Sequence, residues 1–386
     1  MRGTGKRLLF AVGHWGLGHA TRDLPLIRGL LAQGCEVIVG CDGPPLQVLR
    51  RELQGMCEVI RLPGSPIPMA RTPLRFYTRY TLLLLTLWRS RARQHALVEQ
   101  LVRERRVDLV VSDNRYGCYS AQAPSYLIAH GIRFIPPFGD WWLRPSLEYF
   151  NYRAFQPFTR LIVPDFAADS LSGALSHDLR FVGPDRLAYI GPLSSVRRRP
   201  LAEDLDYFIT ISGPEPQRGM LEEQLLEQVK RLPGPGVMTL GRPGEGFLGR
   251  RGQCEVYAYL DRKGQEEMLN RARLVVSRSG YTTLMELAEL GKHALLIPTP
   301  GQTEQEYLGW YHQQRRAAPM VTQAALQLEA DIARVSAGFR GFHVPWTTAQ
   351  SVANFLDVVL GPMTRPLPTR QAEPEKAPPE MTSSFG

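Results

Sequence analysis

The sequence predicts an α/β protein of two similar halves, each a parallel sheet wrapped by helices. Three observations carry this. Apolar β-type runs alternate with helical patterns twice over, once up to about residue 188 and again from 207 to 360. The runs are apolar at successive positions, as strands covered on both faces are. The alternation breaks once, at YIGPLSSVRRRPLAEDLD (189–206), where proline, serine and three consecutive arginines replace the periodic pattern. At 386 residues the chain is long for one core and ordinary for two.

The elements follow in order. RLLFAV leads into a helix ending at Ala32; then come CEVIVG, a helix near 45–53, CEVIRL and a long helical region at about 73–105. VDLVVS, a helix, IRFIP and RLIVPD complete a Rossmann-like domain, 1–188. Residues 189–206 read as a linker. The second domain, 207–360, runs through YFITIS, the helix QRGMLEEQLLEQVKRL, VMTLG, CEVYAY, a short helix, RLVVS, a helix, HALLIP, a helix and PMVT, and closes on the helix TTAQSVANFLDVVL. The tail, 361–386, is rich in proline and polar residues and is expected to be disordered. Two such halves face each other across a cleft, the place where open α/β sheets take ligands.

Composition narrows the classes. A net charge of +9 suits an anionic ligand, a nucleic acid or an acidic membrane surface. Nucleic acid is not the expected partner, because no recognition motif or aromatic-basic repeat accompanies the charge. Five cysteines, an odd number without a CxxC, suggest neither a disulfide framework nor a zinc site. The opening MRGTGKRLLFAVG lacks a signal peptide's apolar core, so a cytoplasmic location is expected. YTLLLLTLW is too short to cross a bilayer. Arginines flank it on both sides, so residues 71–93 read either as a peripheral membrane contact or as a core helix with a solvated basic face.

Loops at strand ends carry the chemistry. In GHWGLGH (13–19), the amides of Gly16 and Gly18 and the helix start near His19 can face an anion or a developing charge. The spacing GxxGxG is neither the dinucleotide fingerprint nor a Walker A loop. His19 at a helix start is kept neutral by the dipole and can serve as a general base, or it is simply bonded to its loop. In SRSGYTTLMELAELGK, Ser279 and Gly280 can offer amides to a phosphate, and Glu286 can accept two ribose hydroxyls. Thr283 and Glu286 also have capping-box spacing, as do Thr303 and Glu306 in TPGQTEQEY, where Gln302, Thr303 and Gln305 can reach a sugar. Ser212 and Gly213 form a third small turn on that edge. In the first half, Asp113 either orients His19, contacts an acceptor or caps a helix. Asp140, Trp141 and Trp142 are weaker acceptor-side candidates. The DLD at 204–206 reads as a solvated turn, and neither a metal nor a cofactor is expected.

With these residues laid out, the chain resembles the GT-B glycosyltransferases, in particular the MurG-like branch of family 28. GLGHATR is similar to that branch's Gly-His loop, and Arg278-Ser279-Gly280, Glu286 and Gln302 to Gln305 are similar to its C-terminal motifs. The wording is closer still to a group of uncharacterised glycosyltransferases. The resemblance implies an inverting, metal-independent enzyme whose C-terminal half holds a nucleotide-sugar donor, UDP-linked in the MurG-like branch, and whose acceptor is unknown and lipid-linked in that branch. It implies Glu286 for the ribose, Ser279, Gly280 and Thr282 or Thr283 for the diphosphate, Gln305 for the sugar, and either His19 for the acceptor proton or the Gly13 to Gly18 amides for the leaving phosphate; amides, a helix end and Arg278 can stabilise the developing charge. His14 and Trp15 stand where the peptidoglycan enzymes have small residues, and ISGPEPQRG replaces their Gly-Gly-Ser-rich turn. A nucleotide-sugar epimerase on the same fold, or an inactive sugar-nucleotide-binding partner, are the alternative readings.

Overall fold

The computed structural model describes residues 5–14, 16–64, 73–135, 144–242, 246–336 and 338–361, without the side chains of 73–88, 144 and 336. Trp15, the Asp140, Trp141 and Trp142 group, residues 71 and 72 with the side chains up to Trp88, and the tail beyond 361 therefore lie outside the described residues.

The first half runs β1 (Arg7–Ala11), α1 (Leu17–Ala32), β2 (Glu36–Cys41), α2 (Gly43–Glu52), β3 (Glu58–Arg61), α3 (Pro73–Arg105), β4 (Leu109–Asp113), β5 (Ser125–Ile128), α4 (Arg144–Phe155), β6 (Arg160–Val163) and β7 (Leu187–Tyr189). The second runs β8 (Leu205–Thr210), α5 (Gln217–Gln228), β9 (Gly236–Thr239), β10 (Phe247–Arg251), β11 (Cys254–Tyr257), α6 (Arg262–Arg271), β12 (Ala272–Ser277), α7 (Tyr281–Leu290), β13 (His293–Leu296), α8 (Thr303–Gln314), α9 (Leu328–Ser336) and α10 (Thr348–Leu360). The first sheet is parallel throughout, in the order β3-β2-β1-β4-β5-β6-β7. The second, β10-β11-β9-β8-β12-β13, is parallel except for β10.

The alternation of side chains explains why both strand faces had to be apolar. Leu8 and Phe10 point into a cluster with Leu24, Ile27 and Phe355, while Leu9 and Ala11 point into another with Val98 and Val102 of α3. In the second sheet Phe208 belongs to the first of these clusters, and Tyr207 and Ile209 pack on the far side with Leu221 and Leu225. One apolar cluster thus runs from the first half into the second.

Several local expectations are corrected. The segment between β4 and the next strand is not a helix, and the strand there is Ser125–Ile128, whereas residues 132–135 of IRFIP are irregular. Gly117 explains part of this: a Cβ there would lie 2.7 Å from the Arg91 carbonyl, so the loop is pressed against α3. The antiparallel β10 carries no alternating signal strong enough to be read. PMVT contributes only a single bridge, Leu296 to Met320. Finally, α10, read with the second domain, crosses back onto α1. Phe10 and Phe355 rings lie 6.4 Å apart, and Asn354 Nδ2 donates to the Ile190 carbonyl at 3.1 Å.

Candidate active site

Each sheet has one point where the strand order reverses direction, between β1 and β4 in the first and between β8 and β12 in the second. Loops leaving the two strands at such a point splay apart and open a crevice. Ala11 is in register with Ser112, so the loop after β1 and the end of β4 are neighbours. Thr210 is in register with Ser277, which brings together Ser212, Gly213 and the 278–280 turn.

His19 sits in the first turn of α1, whose N-cap is Gly16 and whose amides meet no side-chain cap. Its Nδ1 lies 2.6 Å from Asp113 Oδ2. A Cβ on Gly13 would fall 2.7 Å from His19 Cγ and Nδ1, so only glycine lets the ring lie over the loop. Burial, reinforced by Arg22 and opposed by Asp113, pushes the His19 imidazole below its usual range. Burial disfavours the Asp113 charge, yet Arg22 and then His19 hold its carboxyl well below the ordinary carboxylate value. The result is a neutral imidazole backed by a carboxylate, the arrangement of a general base. Asp113 ends β4, so it does not cap a helix.

Around this pair lie residues that the sequence reading passed over. Arg22, one turn along α1 and almost fully buried, donates to Asp113 Oδ1 and has Nη1 3.3 Å from His130 Nδ1. His130 Nε2 lies 3.2 Å from Glu304 Oε1 at the start of α8, and its ring stacks on Tyr281 at 4.2 Å. The readable signal was Arg22-Asp23, two charged residues three and four positions after His19, which share a face with it on the helix.

The second half brings the N-terminus of α7 to this site. Gly280 is the N-cap and no side chain caps the helix. A Cβ on Gly18 would lie 2.8 Å from Thr282 Oγ1, so the two uncapped helix starts face each other. Because α7 begins at Tyr281, Thr283 is inside the helix and the capping-box reading fails there. It fails again at α8, which begins at Thr303 with Gln302 as N-cap, while Glu306 Oε1 accepts from the Gly301 amide at 2.9 Å. Glu286 accepts from Ser195 Oγ at 3.1 Å, and burial pushes its carboxyl up to about 7.

Several expected donor contacts are engaged elsewhere. Arg278 does not face an opening: it is buried and donates to the carbonyls of Ser212, Ile297, Pro298 and Gln217 and to Gln323 Oε1. It is thus turned away from any developing charge and ties the loops after β8 and β13 together. The Ser279 hydroxyl donates to the Gln305 carbonyl at 2.7 Å. The Gln305 amide is likewise engaged within its loop, accepting from the Thr299 amide at 2.9 Å and donating to Gln302 Oε1 at 2.5 Å. Ser212 and Gly213 are exposed, and Thr282 and Thr283 are half-buried. Asp204 and Asp206 pair with Arg271 and Arg273.

Residues 238–337 match the glycosyltransferase family 28 C-terminal domain. Across nearly the whole chain the structure is similar to the glycotransferase of kitacinnamycin, with a TM-score of 0.61, 17% identity, and 92% of this chain and 94% of that one covered. It is also similar to Acinetobacter baumannii MurG, with a TM-score of 0.52, 13% identity, and coverage of 86% and 90%. The fold is GT-B. A Bacillus cytotoxicus UDP-N-acetylglucosamine–N-acetylmuramyl-(pentapeptide) pyrophosphoryl-undecaprenol N-acetylglucosamine transferase is 43% identical over 68 residues. That stretch is 17% of this chain and 17% of the relative's length. The GT-B architecture and the family 28 match agree with the resemblance carried by residues 274–312.

Proposed function

We propose that the chain transfers a sugar from a nucleotide-sugar donor to an acceptor hydroxyl, with inversion and without a metal. The observation that carries this is the seat of His19: a neutral imidazole on Asp113, at one uncapped helix start, opposite another. The acceptor oxygen attacks the anomeric carbon while the nucleoside diphosphate leaves from the opposite face. The enzyme must therefore remove one proton and stabilise one growing negative charge.

His19 Nε2 takes the acceptor proton, and Asp113 holds the ring by Nδ1–H and stabilises the imidazolium that forms. The first-turn amides of α7, with Thr282 and Thr283, receive the diphosphate, since a helix start is a ready anion site. The amides of Gly16 and Gly18 lie across from them. Glu286 accepts the ribose hydroxyls in place of Ser195 Oγ. The donor we favour is UDP-linked and GlcNAc-like, because the matched relative's name states UDP-N-acetylglucosamine. The same name supports a lipid-linked acceptor, for which residues 71–93 would supply the peripheral contact. Among the described residues no helix is long and apolar enough to cross a membrane.

Thermal unfolding with UDP-, GDP-, ADP- and TDP-sugars, run beside Glu286→Ala, tests the donor site, since a ligand of the folded state raises stability by mass action. A shift with UDP-sugars that the substitution abolishes supports the reading; no shift with any sugar nucleotide removes it. The anomeric configuration of the product then decides inversion. Flotation with anionic liposomes tests the contact through 71–93.

A further inference from the structure

Arg22 is placed where a plain helix residue would not be. It lies on α1 one turn after His19, 1% exposed, and its guanidinium stands beside His19, Asp113 and His130. Nη2 donates to Asp113 Oδ1 and lies 2.9 Å from His19 Nδ1, Nη1 lies 3.3 Å from His130 Nδ1, and Nε lies 4.0 Å from Asp23 Oδ1. A guanidinium has donors only. When His19 Nδ1–H points at Asp113 Oδ2, Nη2 cannot bond to that nitrogen, and what remains beside the ring is a fixed positive charge. The carboxylate is thus shared by its two oxygens, one held by Arg22 and the other offered to His19.

Resting on the reading of His19 as the base, we propose that Arg22 is the positioning residue of this site: it fixes the Asp113 carboxylate for His19 and opposes premature charging of the imidazole. The other groups facing His19 are consistent with that arrangement. Asp113 comes from β4, Asp23 from α1, His130 from the turn after β5, and Tyr281 and Glu304 from α7 and α8. Asp23 is fully buried, and Arg22 Nε stands 4.0 Å from its Oδ1. Burial and then Asp113 push its carboxyl well above the usual range, against the pull of Arg22. Among the described residues Asp113 is the carboxylate hydrogen-bonded to both His19 and Arg22. Glu304 is half-exposed and reaches His130 rather than His19.

The test is a histidine-labelled NMR titration of the full chain, with His19 assigned by loss of its signal in His19→Gln. In the unsubstituted protein His19 should titrate below the ordinary histidine range despite its carboxylate. In Arg22→Met the midpoint should rise by about one pH unit as the opposing charge is removed. Arg22→Lys should keep the midpoint low while lowering kcat for transfer, because a lone ammonium cannot fix the carboxylate as the fork does. A midpoint above the ordinary range in the unsubstituted protein, or one unmoved in folded Arg22→Met, overturns the proposal. If Arg22→Met does not fold, the unsubstituted midpoint and Arg22→Lys decide. Absence of transfer by the unsubstituted protein, with His19 titrating low and moving as stated, defeats the proposed function and leaves the charge-setting role of Arg22 standing.

Discussion

Gly18 and Thr282 meet where the two halves come together: a Cβ added to Gly18 would lie 2.8 Å from Thr282 Oγ1. The contact aligns the starts of α1 and α7, so both helix dipoles direct their positive ends into one space. Gly18→Ala should therefore separate the helix starts and raise KM for the donor by about tenfold, near 1.4 kcal/mol of binding. Adding Thr282→Ser, which keeps the hydroxyl but frees it to turn, should recover part of the loss. A double-mutant cycle measures this, and purely additive effects would show that the two residues do not act through each other.

His19→Ala should reduce kcat by about 10²–10⁴-fold with little change in donor affinity, since general-base catalysis contributes on that scale. Asp113→Asn should lower kcat in the same direction, because an amide can turn its NH₂ toward the ring and no longer stabilises the imidazolium. Steady-state kinetics beside donor titration separates the two parameters. A His19→Ala enzyme with unchanged kcat would assign proton removal to another group.

Glu286 predicts a pH effect with two opposite signs. Burial lifts its carboxyl from 4.5 to about 7, so the folded state binds an extra proton between those values. Stability from this group therefore falls as pH rises through that window. Glu286→Gln removes the effect and should stabilise the free protein at pH 8 by about 1–3 kcal/mol, while leaving it nearly unchanged at pH 4. Donor binding should move the other way: ribose hydroxyls are accepted best by the carboxylate, so affinity of the unsubstituted protein should improve above pH 7 and be lost in the variant. Denaturant melts and calorimetric donor titrations at pH 5 and 8 check both signs.

Arg278 distinguishes a structural clamp from a phosphate ligand. Arg278→Met should cost at least about 3 kcal/mol, because several buried carbonyls lose a donor at about 1–3 kcal/mol each. In the fraction that remains folded, donor KM should stay close to normal. A stable variant whose donor KM rises steeply would return Arg278 to the donor site.

Much of the fold is local in origin and was legible: the successive apolar positions of RLLFA, EVIVGC and LVVSD, the glycine loop, and the Gly291 C-cap that ends α7 with φ 67°. The candidate site was legible only in part. Ser279 and Gln305 lie on neighbouring loops, but the Ser279 hydroxyl is bonded to the Gln305 backbone and the Gln305 amide to its own loop, which no spacing pattern encodes. The Ser125–Ile128 strand was missed because SYLI is short and flanked by a proline and a glycine-containing turn, while IRFIP has the stronger β composition.

The sequence by itself determined that there are two α/β halves and that a histidine opens the first helix after a glycine loop, because these depend on neighbours along the chain. Only the tertiary structure decided which residues meet His19. Asp113 stands 94 residues away and arrives at 2.6 Å because β4, not β2 alone, pairs with β1. Arg22 turns inward because that carboxylate offers its charge a partner, and Arg278 turns inward because unpaired carbonyls surround it. Buried polar groups go where their hydrogen bonds can be completed, and strand order sets where that is.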